Sequence, residues 1–319
     1  MTHRTLKLIH LLQTKAMKFT PLILLSVLFA PLSCGSGAAS NPPLPTKLTE
    51  EFKSYWFDGT AEVTSYHLTQ ARYGELRSGE AVFIFVTEPF SKSKQVKKDH
   101  TTSDDPDRVD VLKLNATRKF NTGLYPYSLM SSVFQPLDGS SSHAIKSTTS
   151  VQEWCGHTYL QTNRHKKEIH VSGKSYFESD GDIEFNIPLT WLEDELWGLM
   201  RLNPKDLPVG DFSLVPGGMY LRMAHKEIQS YSAHGHLSEE AGQFIYTIEI
   251  PEFDKVLKIW CSNSFPYTID RWEDTYVSGW GESAKRLTTT ATLNKRIKTD
   301  YWTKNTNADS TMRAVLGLD

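Results

Sequence analysis

The residues of this chain best equipped for chemistry are two closely spaced histidines, three cysteines and a few short glycine-containing motifs. His234 and His236 are separated only by Gly235. Alternate side chains of a strand share a face, so the two imidazoles would supply two ligands to a zinc-like cation. A third ligand is not evident in the sequence, and a polar strand end explains the pair equally well. His165 and His170 lack the His-Glu-x-x-His spacing of a metalloprotease helix. Gly173-Lys174-Ser175 matches the end of a phosphate-binding loop, but Glu168 occupies the place of its first glycine, so a hairpin turn is expected there. Gly279-Trp280-Gly281-Glu282-Ser283 lacks the final glycine of a nucleophile elbow. The pattern assigns no catalytic residue, no metal site beyond the weak pair His234 and His236, and no cofactor.

Cys34 belongs to a different pattern. Met17-Lys18 precedes an apolar run over residues 21–32, which ends at Ser33-Cys34-Gly35. A short basic segment, a hydrophobic stretch of this length and small residues around a cysteine resemble a bacterial lipoprotein signal, cleaved before an acylated cysteine. The run has twelve residues and contains Pro21 and Pro31, too short for the ~20 apolar residues of a membrane-spanning helix. Pro31 stands where the usual signal has an aliphatic residue, and the segment before Met17 is long, so Met17 is an alternative start. An ordinary secretory signal cut elsewhere is the competing reading. The expected organisation is a signal peptide over 1–33, a flexible tether over 34–46 and one β-rich domain over 47–319. Lipid at Cys34 would make the membrane a partner and place the protein in the cell envelope, on the periplasmic or surface side of the outer membrane.

Loss of Arg4, Lys7, Lys15 and Lys18 with the signal changes the formal net charge from −2 to −6. That acidic balance excludes nucleic acid as a partner, because phosphates demand a basic footprint. Cys155 and Cys261 remain, an even number for an oxidising compartment. They form either one long-range disulfide or two buried thiols, each beside a tryptophan. The absence of Cys-x-x-Cys gives no support to zinc-ribbon or thioredoxin chemistry.

The elements that must carry these residues are mostly strands. Thr49 is placed to cap a short helix with Phe52, Tyr55 and Trp56 on one face, ended by Asp58-Gly59. Residues 80–86 form a continuous β-branched and aromatic run, the mark of burial on both faces. Leu112, Leu114 and Ala116 alternate with Lys113, Asn115 and Thr117, and residues 183–187, 244–250 and 285–297 read likewise. Turn signals at 121–123, 172–173, 180–182 and 217–218 fit hairpins rather than βαβ crossovers. One further helix stands out: Thr190 and Glu193 form a capping box, Leu192, Leu196, Leu199 and Met200 keep helical spacing, and Pro204 stops the run. The predicted fold is mainly β: a large curved antiparallel sheet or half-barrel, its concave side plugged by a helix near 190–202. A two-sheet sandwich is the alternative. Most tryptophans are assigned to the core, with Trp272 and Trp280, in the polar stretch 270–282, as the exposed exceptions.

Four segments carry a family resemblance: residues 55–62 (YWFDGTAE), 70–75 (QARYGE), 112–116 with 119–123 (LKLNA and KFNTG) and 152–157 (QEWCGH). They resemble an uncharacterised family of exported lipoproteins of the Bacteroidetes type, over nearly all of the mature chain. Some members carry the name septum formation inhibitor Maf, which belongs to small cytosolic α/β enzymes that hydrolyse nucleotide triphosphates. Those enzymes have a Ser-Pro-Arg-Arg-type motif and no export signal. This chain has no such motif, so nucleotide pyrophosphatase activity is not expected of it. The expected architecture is also similar to the lipoprotein carriers of the Lol pathway, at the level of fold alone. The expected function is noncatalytic: the curved sheet binds a hydrophobic ligand, a lipoprotein segment or an envelope partner in an apolar cavity. A hydrolase of envelope polymers would instead bring His234, His236 or paired carboxylates into one cleft. A glycan-binding module would show coplanar exposed Trp and Tyr.

Overall fold

The computed structural model describes residues 48–102 and 104–318. The signal segment 1–33, Cys34 and the tether 34–46 lie outside the described residues. Helix α1 (Glu50–Trp56) opens the domain, and the Thr49 hydroxyl accepts from Phe52 N at 3.1 Å, the cap the sequence predicts. The strands that follow are β1 (Ala61–Arg72), β2 (Glu75–Ser91), β3 (Arg108–Thr122) and β4 (Tyr125–Pro136). They continue as β5 (Lys146–Glu153), β6 (Gly156–Arg164), β7 (Glu168–Ser175) and β8 (Ile183–Pro188). The short β9 (Trp191–Leu192) runs into α2 (Glu193–Leu202), and β10 (Gly210–Val215) leads to α3 (Gly218–Ala224). A second meander is built from β11 (Tyr231–Glu240), β12 (Gln243–Ile250), β13 (Lys255–Ser262), β14 (Ile269–Ser278) and β15 (Lys285–Thr299), and α4 (Thr311–Val315) follows.

All 15 strands join one sheet in the order β8-β7-β6-β5-β4-β3-β2-β1-β15-β14-β13-β12-β11-β10-β9. Every pairing is antiparallel except β9 with β10, which is parallel. The fold is thus a single curved sheet and not a sandwich. Its outermost strands, β8 and β9, are joined by Leu189 and Thr190 alone. A link that short spans at most ~10 Å, so the sheet has to curl until its edges approach. Apolar packing closes the seam: Leu160, Ile169 and Val171 of β6 and β7 meet Leu192 of β9, Val215 of β10 and Leu221 of α3. Both residues of the edge strand β9 are buried at this seam, while β8 stays largely exposed along it.

Period-two alternation decides what points inward. Along β2, Ala81, Phe83 and Phe85 are buried in the core, while Val82 and Ile84 lie half-buried on the outer face beside Tyr301 and Leu316. The C-terminal segment therefore supplies the second buried face that residues 80–86 call for. Helix α2 fills the concave side, with Leu196, Leu199 and Met200 fully buried. Trp197 meets Phe83 and Trp272 edge-on, at 5.3 and 6.0 Å between ring centres. The helix starts at Glu193, not at Thr190: the Thr190 hydroxyl donates to Ser213 O at 2.8 Å, and Glu195 reaches back to Leu192 N at 3.0 Å. Two expected turns are also displaced. Gly173 sits inside β7, opposite Leu160 and Ile183, and Gly217-Gly218 begins α3.

Candidate functional site

Helix α2 carries acids in its first turn and Arg201 in its last, the arrangement its dipole favours. Both ends are pinned inside the barrel. Lys255 Nζ lies 3.0 Å from Glu193 Oε1 and 2.8 Å from Asp274 Oδ1. Asp194 accepts from Gly218 N at 3.1 Å, and Glu195 accepts from Ala144 N and faces His143 Nδ1 at 2.9 Å. At the other end Arg201 grips Glu62 with two contacts, of 2.5 and 2.8 Å, and the Tyr55 hydroxyl donates to the same carboxylate. Burial opposes the Glu62 charge, but Arg201 outweighs it and holds the carboxyl below the usual glutamate range. Burial raises Glu193 and Asp194, against the pull of Lys255. It also opposes the charge on Lys255, yet Asp274 and Glu193 reverse that and leave the amine raised.

Arg118 and Asp194 keep some accessible surface even though burial dominates the pKa of each. That surface faces an internal cavity they share with Glu193 and Asp274. The cavity has about 30 Å³, roughly the room of one water molecule. Among the described residues, α2, α3 and the aromatic core occupy the concave face where an apolar ligand cavity is expected, and charged groups converge there instead. Their ion pairs hold the plug in place.

Space for a ligand exists at the two ends of the barrel. At the α1 end a cleft of about 270 Å³ is lined by Leu48, Phe52, Leu137, Leu202, Phe265 and Tyr267, with Asp206 among its polar residues. Asp206 Oδ2 is buried and has no hydrogen-bond partner, and burial raises its carboxyl above the ordinary range. At the far end a cleft of about 360 Å³ lies between α3, the β12–β13 turn and the β14–β15 turn.

The sequence-predicted residues are dispersed. His234 and His236 are exposed on β11, and His234 Nδ1 pairs with Asp211 at 2.7 Å. Among the described residues no three His, Cys, Asp or Glu side chains are grouped to hold a metal. Cys155 and Cys261 are free thiols. Cys155 is exposed in the β5–β6 turn at the far end; Cys261 is buried on β13, in register with Ile269 at the α1 end. A disulfide needs Cα atoms within ~7 Å, so of the two alternatives the bridge is not formed, and of the two free thiols only Cys261 is buried. Burial pushes the Cys261 thiol up to about 12. Trp272 is fully buried and Trp280 is 54% exposed, while Trp154 and Trp302, assigned to the core, are exposed.

No family model matches the chain, and neither does any curated protein. Among solved structures, it is similar to a β-barrel-like protein of a domain of unknown function from Brucella abortus, at 8% identity and a TM-score of 0.43. The match covers 76% of this chain and 98% of that one. A likeness of that degree speaks to neither ligand nor activity.

Proposed function

We propose that this protein is a noncatalytic envelope lipoprotein, anchored through Cys34, which binds a hydrophobic ligand at the α1-end cleft. The lipoprotein-like signal over residues 17–35 and the resemblance to exported lipoproteins support the anchor. The observation that carries the ligand reading is the cleft itself, apolar on most of its lining and open beside Leu48. Leu48 follows Cys34 by fourteen residues, a reach of at most ~50 Å. At about 270 Å³ the cleft sits just below the usual ~300–1,000 Å³ of small-molecule sites. It suits one ring or a short acyl segment, with the remainder of the ligand outside.

Two experiments test the parts separately. Wild-type protein partitions with membranes, and Cys34→Ala moves it to the soluble fraction; unchanged partitioning refutes the anchor. The fluorescent amine 1-aminoanthracene binds the full chain and is displaced by dodecanol. Leu202→Arg, which places a charge in the cleft, reduces that binding at least tenfold; equal binding by the variant refutes the site.

A further inference from the structure

The far-end cleft differs from the first in its chemistry. Arg72, Lys226, Glu252, Phe253, Ser278 and Trp280 line it, and its volume of about 360 Å³ falls within the usual range of small-molecule sites. Its most exposed aromatic, Trp280, is held in place from below. Gly279 adopts φ +92° and Gly74 adopts φ +73°, and a Cβ on either would strike Ser283 O. The β1–β2 and β14–β15 turns therefore interlock backbone against backbone. Arg72 lies 5.6 Å from the Trp280 ring centre and Tyr73 lies 5.4 Å from it. The guanidinium is itself fixed, donating to Met223 O at 2.5 Å and to the Tyr73 and Tyr127 hydroxyls at 3.0 Å.

Across the cleft, Lys226 Nζ stands 5.3 Å from the centre of the Phe253 ring. Neither Lys226 nor the exposed Glu252 makes an ion pair among the described residues, whereas Asp254 is neutralised by Arg286 at 2.7 Å. The cleft thus presents an indole surface, the cationic donor Lys226 and the anionic acceptor Glu252, with the Arg72 guanidinium already bonded to Met223 O and two tyrosine hydroxyls. An acyl chain would desolvate both charged groups without compensation. A hydroxyl both donates and accepts, so it satisfies either group.

We propose that this cleft binds a neutral saccharide unit, stacked on Trp280 with its hydroxyls bonded to Lys226 and Glu252. Tyr73 is half-buried and tilted 46° from Trp280, so the coplanar exposed pair expected of a glycan-binding module is not formed, and the rim offers a single stacking position on Trp280. The test uses the full chain in detergent, titrated calorimetrically with maltohexaose, cellohexaose and chitohexaose. At least one binds. Trp280→Ala weakens it roughly tenfold, Trp280→Phe retains most of the affinity, and Lys226→Met weakens it several-fold. Leu202→Arg, at the opposite mouth, leaves it unchanged, which separates this site from the hydrophobic one. Binding by none of the three sugars overturns the proposal, as does equal affinity in Trp280→Ala or in Lys226→Met.

Discussion

Glu62 and Arg201 are 139 positions apart in sequence and meet as a two-contact ion pair in the core. Removing one member strands the other without its counter-charge, at a cost of about 3–5 kcal/mol. Arg201→Met should lose that much stability in urea denaturation, and a Glu62→Gln, Arg201→Met double variant should recover part of it. Two titrations run in opposite directions. Glu62, held low, contributes stability above the unfolded glutamate value that is lost as pH falls through its folded pKa. Glu193 and Asp194, held high, contribute stability that is complete below their unfolded values and lost as pH rises through their folded ones. Glu193→Gln removes one of the latter, so its stability relative to wild type should improve as pH rises from about 4 toward 8. A difference independent of pH would show that Glu193 does not titrate this way. None of these partnerships is legible in the sequence, because local spacing carries no information about pairs brought together by strands far apart in the chain.

At the scale of elements, α2 is the most legible feature, because Leu196, Leu199 and Met200 at helical spacing demand an apolar partner and find the sheet's concave face. Its cap is less legible: Leu189-Thr190 must bridge the two edges of the sheet, so Thr190 bonds to β10 instead of opening the helix. Trp197→Ala removes a ring packed between Phe83 and Trp272 and should cost about 3–5 kcal/mol. Thermal unfolding measures this, and a loss below about 1 kcal/mol would mean that the plug is dispensable. Trp272 shows why polar neighbours mislead. On β14 its sequence neighbours Arg271 and Glu273 point outward, while Trp272, Asp274 and Tyr276 share the buried face. The turns misassigned at 172–173 and 217–218 have a common cause: glycine serves there for close approach, to Ile183 in one case and to Thr149 in the other, and not for chain reversal.

At the scale of the molecule, alternating strands and hairpin turns make a large curved sheet readable from the sequence. The strand order is not, and neither is the near closure that two linking residues impose on strands at opposite ends of it. Nor does composition reveal that the concave side is filled, since a sheet that plugs itself and one that holds a ligand have the same alternation. The consequence is functional, because a filled interior moves any ligand to the mouths of the barrel. Methyl NMR of the full chain, titrated with dodecanol, tests this most directly. Shifts are expected at Leu48, Leu137 and Leu202 around the α1-end cleft, with Leu114, Leu196 and Leu257 inside the curved sheet unchanged. Shifts centred on those interior leucines, or none at either place, would contradict it.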